Sequence, residues 1–249
     1  MNKILVFGDI HGRTFWKEPS EKLITEVDKI IFLGDYLDSY PDEWDDKHTR
    51  EDDIYNFLEI IHFKTKHKDK VILLLGNHDY HYISSLFNKE CGGCRMDREN
   101  KNTIAQIFEE FKDYFQLAYE ENINGKRIFF THAGIMKSWY ERNKDVIGEL
   151  TANNINNLLN SNKGIKALAE VSYYRGGYYS TGSILWSDIR ERFGPDSINE
   201  DELIDGIDLQ VFGHTRLNNS PITCSAFACV DCKKPFVIDD NGKIKKLTQ

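Results

Sequence analysis

Apolar residues in this chain gather into short unbroken runs. Five of them lie at 4–7, 30–33, 71–75, 128–130 and 211–212. A strand with one wet face alternates polar and apolar residues, so runs that are apolar throughout predict strands covered on both sides. Between the runs the spacing becomes helical. Ile54, Phe57, Leu58 and Ile61 fall at i, i+3, i+4 and i+7, and Ile104, Ile107, Phe108, Phe111 and Phe115 follow the same rhythm. Thr103 with Gln106 predicts a capping box at the start of that second helix. Further helices are expected over 151–159 and 164–171. The tail reads as strands at 226–230, 236–238 and 244–247, with Asp240-Asn241-Gly242 as a hairpin turn. The acidic stretch 41–53 is expected to be a solvated loop entering a helix.

No repeat or low-complexity linker interrupts the 249 residues, so a single domain over 1–249 is expected. The 40 acidic residues exceed the 32 basic ones and leave a net charge of −8. That balance argues against non-specific nucleic-acid binding, which needs basic surface. No run approaches the length of a membrane span, and the first is too short for a signal peptide. Five cysteines, sparse and odd in number, fit a reducing compartment. The expected location is cytoplasmic, with no membrane partner.

Each of the five runs ends in a polar cluster. In order they are Gly8-Asp9-Ile10-His11-Gly12, Gly34-Asp35-Tyr36-Leu37-Asp38, Gly76-Asn77-His78-Asp79, Thr131-His132-Ala133-Gly134 and Gly213-His214-Thr215. Any one of these is most often a turn. Five in order, each at a strand end, form a pattern, because α/β sheets build their sites outside the carboxyl ends of strands. Carboxylate, amide and imidazole together suit borderline divalent ions such as manganese, iron or zinc. The donors outnumber the needs of one tetrahedral site and suit two adjacent metals with one Asp bridging. Two divalent ions offset by Asp9, Asp35 and a bridging hydroxide retain about one positive charge, which attracts a phosphate oxyanion.

The ordered motifs GDIHG, GDYLD, GNHD, THAG and GHT resemble those of the calcineurin-like metallophosphoesterases. Within that superfamily they are most similar to the phosphoprotein-phosphatase-like branch, with its bacterial serine/threonine phosphatases and diadenosine-tetraphosphatase-like members. Leu185-Trp186-Ser187-Asp188 resembles a further motif of that branch. The resemblance implies an α/β fold, a two-sheet β-sandwich flanked by helices in four αββα layers. It implies that Asp9 and His11 hold one metal, that Asp35 bridges, and that Asn77, His132 and His214 hold the second. It further implies His78 as a catalytic histidine oriented by Asp38. The implied reaction is phosphoester hydrolysis by in-line attack of a metal-bridging hydroxide, with His78 protonating the leaving alkoxide.

The chain departs from the branch at three places. Ser39-Tyr40 follows Asp38 where the branch has Arg-Gly, Leu75 precedes the GNH motif where it has Arg, and Asp79 stands where it has Glu. Two phosphate-clamping arginines are therefore missing from their usual places. Arg13 and Arg175 are the candidate replacements, since guanidinium forks bind phosphate bidentately. Cys91/Cys94 and Cys229/Cys232 form two CxxC pairs, expected to be free thiols rather than a structural zinc site. Tyr173, Tyr174, Tyr178 and Tyr179 could stack on a nucleobase, but are expected to cap their loop as partly buried aromatic bulk. His81 is placed near the cleft, and His48, His62 and His67 in solvent.

The reading is a phosphoesterase dependent on two divalent transition-metal ions (manganese, iron or zinc, with manganese the first choice in vitro). It would act on phosphomonoesters, with a phosphoprotein or a nucleotide as the phosphorylated partner. The alternatives are a nucleotide pyrophosphohydrolase of the diadenosine-tetraphosphatase kind, a phosphodiesterase, or a non-catalytic scaffold on the same fold. Phosphodiesterase members often carry a second His in the last motif, which Gly213-His214-Thr215 lacks.

Overall fold

The computed structural model describes residues 3–43, 47–83, 95–194 and 197–247. Its strands are β1 Ile4–Phe7, β2 Lys29–Phe32, β3 Val71–Leu74, β4 Phe115–Gln116, β5 Ala118–Ile123, β6 Lys126–Thr131, β7 Leu209–Phe212, β8 Ile222–Thr223, β9 Phe227–Cys229, β10 Pro235–Ile238 and β11 Ile244–Lys246. They form a six-stranded sheet in the order β11-β10-β1-β2-β3-β4 and a five-stranded sheet in the order β5-β6-β7-β9-β8. The strands β1, β2 and β3 run parallel, as do β6, β7 and β9.

The unbroken apolar runs are explained by the burial of both faces. Ile4, Val6, Ile31 and Leu33 pack inward on Ile128, Phe130, Leu209 and Val211 of the other sheet. Their neighbours Leu5, Phe7, Ile30 and Phe32 face outward, clustering with Phe57, Ile60, Ile104 and Phe108. Those last residues belong to helices: α1 is Lys17–Leu23, α2 Arg50–Lys66, α3 Asn77–Ile83 and α4 Lys101–Glu110. On the second sheet Phe129 clusters with Trp139 and Ile147 of α5, Lys137–Ile147. Two helices follow, α6 Ala152–Asn156 and α7 Asn162–Leu168. Helix, sheet, sheet and helix thus stack as the expected αββα layers. Each fully buried Ile or Phe contributes roughly 1.5–3 kcal/mol to that stack.

Several boundaries correct the sequence reading. α4 begins at Lys101, and its N-cap is Asn100 with no side-chain cap from Thr103. Asp97 accepts hydrogen bonds from the Glu99 and Asn100 N–H groups and organises that entry instead. Phe115 leaves the helical rhythm and pairs as a strand with Leu73. The helix expected over 151–159 is α6 continued by a tight turn, Asn157–Asn160, with Thr151 as cap. The helix expected over 164–171 starts earlier, where Ser161 Oγ accepts the Gly164 N–H, and stops at Leu168. The Glu170 and Val171 carbonyls accept from Ser183 and Tyr179, so they are taken by the neighbouring loop. Helices α1 and α5 and the strand β5 had no sequence expectation. Glu120, Glu121 and Asn122 make β5 polar, and β5 is an edge strand paired on one side by β6.

The two sheet-end turns nearest the centre meet at Gly34 and Gly76. Gly34 has φ +104°, and a Cβ there would stand 2.4 Å from the Gly76 nitrogen. Gly34→Ala is therefore expected to lower stability by about 2 kcal/mol or more. Thermal unfolding would register this as a fall in Tm of roughly 4 °C or more.

Candidate metal centre

Asp9 and His11 follow β1, Asp35 and Asp38 follow β2, and Asn77 and His78 open α3 after β3. His132 follows β6 and His214 follows β7. Four of these residues have left-handed backbone: His11 at φ +44°, Asp35 at +52°, Asp38 at +60° and His214 at +64°. Such geometry costs on the order of 1–3 kcal/mol per residue and persists where the surroundings enforce it. Hydrogen bonds between the turns do so here. Buried Asp79 accepts the N–H groups of Asp35, Tyr36 and Gly76 at 2.7, 2.9 and 2.8 Å. Asp35 Oδ1 accepts the His78 N–H at 2.9 Å, and Asp9 Oδ1 accepts the His214 N–H at 2.8 Å. Asp79, noted in the sequence as a departure, is the knot that ties the second turn to the third.

The electrostatics of the cluster follow from which nitrogens carry protons. His11 Nδ1 lies 2.7 Å from the Leu37 carbonyl, which can only accept, so Nδ1 donates. Burial, then the charges of His78 and Arg13, lower the His11 pKa well below its ordinary value and keep the ring neutral. Its Nε2 is thus a bare lone pair, and it faces Asp35 Oδ2 at 3.5 Å and Asp9 Oδ2 at 3.8 Å. His132 repeats the arrangement. Nδ1 donates to the Leu33 carbonyl at 2.8 Å, and burial lowers the pKa. Its Nε2 faces Asn77 Oδ1 at 3.1 Å, Asp35 Oδ2 at 3.5 Å and His214 Nδ1 at 3.0 Å. His214 Nε2 is buried with no hydrogen-bond partner among the described residues. Burial, then the charges of Asp9 and Asp79, push the Asp35 carboxyl well up.

The His11 and His132 lone pairs therefore converge on the Asp35 carboxyl, which burial and its acidic neighbours drive toward the protonated form. A divalent cation in place of that proton would satisfy the carboxyl and both imidazoles together. Two donor groups stand ready: His11, Asp35 and His78, and Asp35, His132 and His214, with the atoms of each within 4.8 Å of one another. Asp35 is common to both. The donor set of carboxylate, imidazole and amide fits two borderline divalent ions.

A cavity of about 330 Å³ opens over these donors, lined also by Tyr40, Arg95, Arg175 and Trp186. His78 Nδ1 is 2.7 Å from Asp38 Oδ2, and Asp38 also accepts the Tyr82 hydroxyl at 2.5 Å. Arg175 pairs with Asp188 at 2.7 Å and donates to the His214 carbonyl and Thr215 Oγ1 at 3.2 and 2.9 Å. Arg13 does not line the cavity; it pairs with Glu43 at 2.6 Å, on the rim. Arg95, which sequence reasoning missed, does line it. Its guanidinium lies 3.7 Å from the Tyr40 ring centroid and donates to the Asp38 carbonyl at 3.1 Å. Arg216 lies 4.3 Å from the same ring. No local pattern marks Arg95, because it follows no strand. Asp231 was missed as well. It is buried, and burial and the Asp9 charge push its carboxyl well up.

Other expectations need correction. The four tyrosines are exposed rather than partly buried, Tyr178 at 98%. His48 is not solvated: its Nε2 lies 2.9 Å from Asp53 Oδ1 and 3.1 Å from Ser39 Oγ. Asp53, in the acidic stretch, is buried, and its carboxylate accepts the Ser39 N–H and hydroxyl. His62 is exposed, as expected, whereas His67 is half-buried against Phe63. His81 is fully buried and bonds through Nδ1 to the Asn77 carbonyl. Cys91 and Cys94 lie outside the described residues. Cys224, Cys229 and Cys232 are free, and burial pushes the Cys229 thiol up.

A sequence model of the calcineurin-like phosphoesterase family matches residues 2–216, and the chain belongs to that family. Its class is that of the phosphoester hydrolases. Among solved structures, a cold-active protein tyrosine phosphatase is similar at 17% identity and a TM-score of 0.57, over 100% of this chain and 79% of its own. A serine/threonine phosphatase from Saccharomyces cerevisiae with similarity to human phosphatase PP5 is 16% identical, with a TM-score of 0.52, over 100% and 80%. At these identities the likeness is one of fold. None of the curated proteins matches the chain in sequence. Among the described residues no helix is long and apolar enough to cross a membrane.

Glu43 holds the rim together, meeting Arg13, Arg216 and Lys233 at 2.6, 2.6 and 2.5 Å. Burial opposes its ionisation, but hydrogen bonds from Arg13 and Lys233 prevail and lower its pKa from 4.5 to about 2. A depressed carboxyl stabilises the fold fully above its unfolded value and loses that contribution as pH falls through its folded value. Acid titration of unfolding should show a component lost between pH 4.5 and about 2, and Glu43→Gln should lack it. An unchanged acid profile in the variant would contradict this role.

Proposed function

We propose that the chain is a dinuclear metal-dependent phosphomonoesterase. The observation that carries the reading is Asp35, a buried carboxyl common to two donor groups, with the Nε2 lone pairs of His11 and His132 turned toward it. Asp9, His11 and Asp35 would hold one ion, and Asp35, Asn77, His132 and His214 the other. Manganese, iron and zinc all suit these donors, with manganese the first to try. Bound there, the ions supply Lewis-acid charge and an acidified water.

The remaining steps belong to the chain's own groups. Asp38 accepts the Nδ1 proton of His78 and so fixes the tautomer and the ring orientation. Protonated at Nε2 as well, His78 can give a proton to the leaving oxygen of an ester. Arg95 and Arg175 offer guanidinium donors to the remaining phosphoryl oxygens. Arg95 is held at the Asp38 carbonyl and Arg175 at the His214 carbonyl and Thr215 Oγ1, which supports their reaching the cavity from different turns. Two cations and two guanidiniums favour the dianion of a monoester over the single charge of a diester. Free thiols at Cys224, Cys229 and Cys232 support a reducing, cytosolic setting.

The test is hydrolysis of nitrophenyl phosphate, its bis-ester and a dinucleoside polyphosphate by protein reconstituted with manganese. The monoester should be the preferred substrate; preference for either of the others would overturn this choice. His78→Ala should lower kcat by about 10²–10⁴-fold with metal content retained, whereas parallel loss of metal and activity would make His78 a ligand. Asp35→Asn should weaken both ion sites together, and loss of one ion alone would argue against sharing.

A further inference from the structure

The segment 173–179 carries four tyrosines that the phosphoesterase reading leaves unused. Their exposures are 74% for Tyr173, 48% for Tyr174, 98% for Tyr178 and 42% for Tyr179. Among the described residues no other stretch of this length exposes as many large apolar side chains. Four aromatic rings held in water beside a cavity call for a ligand that covers them.

The backbone of the segment narrows what that ligand can be. The Tyr173 N–H donates to the Tyr179 carbonyl, and the Tyr179 N–H to that of Val171. The Arg175 and Gly177 N–H groups donate to the Ser172 carbonyl, the Gly176 N–H to that of Tyr173, and the Tyr174 N–H to Ser172 Oγ. An extended peptide docks by taking main-chain hydrogen bonds, and here those donors are already used within the loop. Of the loop's seven N–H groups six are so used, and what the segment chiefly offers a ligand is ring faces and phenol hydroxyls. The Arg190 guanidinium lies 4.7 Å from the Tyr174 ring centroid, and that of Arg142 lies 5.5 Å from the Tyr179 centroid. A cation against one face polarises the ring toward a second, electron-rich π partner on the other.

The platform is tied to the cavity through one carboxylate. Asp188 pairs with Arg175, which lines the cavity, and with Arg190, each at 2.7 Å. Arg190 also donates to the Tyr174 carbonyl at 2.9 Å. A ring on Tyr174 is thus held in fixed relation to a phosphate beside Arg175. Arg175, which lines the cavity, is the cation that an anionic ligand would meet there.

We infer that the segment 173–179 is a stacking platform for the base of a nucleotide whose phosphate enters the metal cavity, so that the substrate class is the nucleoside monophosphates. This rests on the phosphomonoesterase reading and specifies its leaving group.

The test uses adenosine monophosphate and glycerol phosphate with the full chain, and two readouts. Without added metal, saturation-transfer NMR should place the base protons against the protein. The transfer should be lost in the double variant Tyr174→Ala/Tyr178→Ala and kept in the Tyr→Phe pair, which retains the ring faces. In manganese-loaded protein the ratio of kcat/KM for the nucleotide over glycerol phosphate should fall about five-fold or more in the alanine pair. Absent base transfer in the parent protein, or equal behaviour of parent and alanine pair, would overturn the platform. So would a selective loss of phosphopeptide hydrolysis in the alanine pair, which would make the loop a protein-docking surface. Base transfer without hydrolysis of either ester would leave the platform standing and sink the phosphomonoesterase reading.

Discussion

The structure turns on buried imidazole lone pairs aimed at a buried carboxylate. His11 and His132 each give their Nδ1 proton to a backbone carbonyl, of Leu37 and of Leu33. Each therefore presents an unprotonated Nε2 to Asp35 at 3.5 Å. Those carbonyls belong to the residues just before and after the turn that carries Asp35. One tight turn after β2 thus supplies the shared carboxylate and also decides which nitrogen of each histidine is free. Protonating the rings is opposed by burial, so the Asp35 carboxyl is the group driven to keep a proton unless a cation takes its place. The converging donors are of a kind that could hold such a cation.

That demand explains why the backbone is strained where it is. Left-handed residues at His11, Asp35, Asp38 and His214 aim side chains from separate turns at one point. The energy comes from the layered core, in which both faces of β1 and β2 are buried, and from Asp79, which gathers three backbone N–H groups. The LWSD segment fastens the far side. Ser187 Oγ donates to the Ala133 carbonyl at 2.6 Å, the Ala133 N–H donates to that of Ile184 at 2.7 Å, and Asp188 anchors Arg175. Packing at a distance is thereby converted into position at the cavity.

Much of this was legible in the sequence, and the reason is physical. A strand buried on both faces must be apolar throughout, so Asp9, Asp35, Asn77, His132 and His214 stand out at the ends of their runs. Arg95 and Tyr40 were not legible in this way. Their place at the cavity depends on a guanidinium meeting a ring across 55 positions of sequence, and neither carries a local pattern. Arg13 stood next to a motif and reads as a phosphate ligand on sequence alone, but it pairs with Glu43 and is not among the residues lining the cavity. β5 hid behind its own polar residues, and the exposure of the tyrosine loop depends on how residues 171–179 close their hydrogen bonds internally. Local periodicity contains neither fact.

Whether Asp35 is shared by two ions can be read from anomalous diffraction at the manganese edge, with crystals of the chain equilibrated with that ion. Two peaks are expected, both within coordinating distance of the Asp35 carboxylate, one beside His11 and the other beside His132 and His214. A map with no peak at Asp35 under saturating manganese, or with the His11 and His132 Nε2 atoms bonded to other protein groups instead, would contradict that sharing.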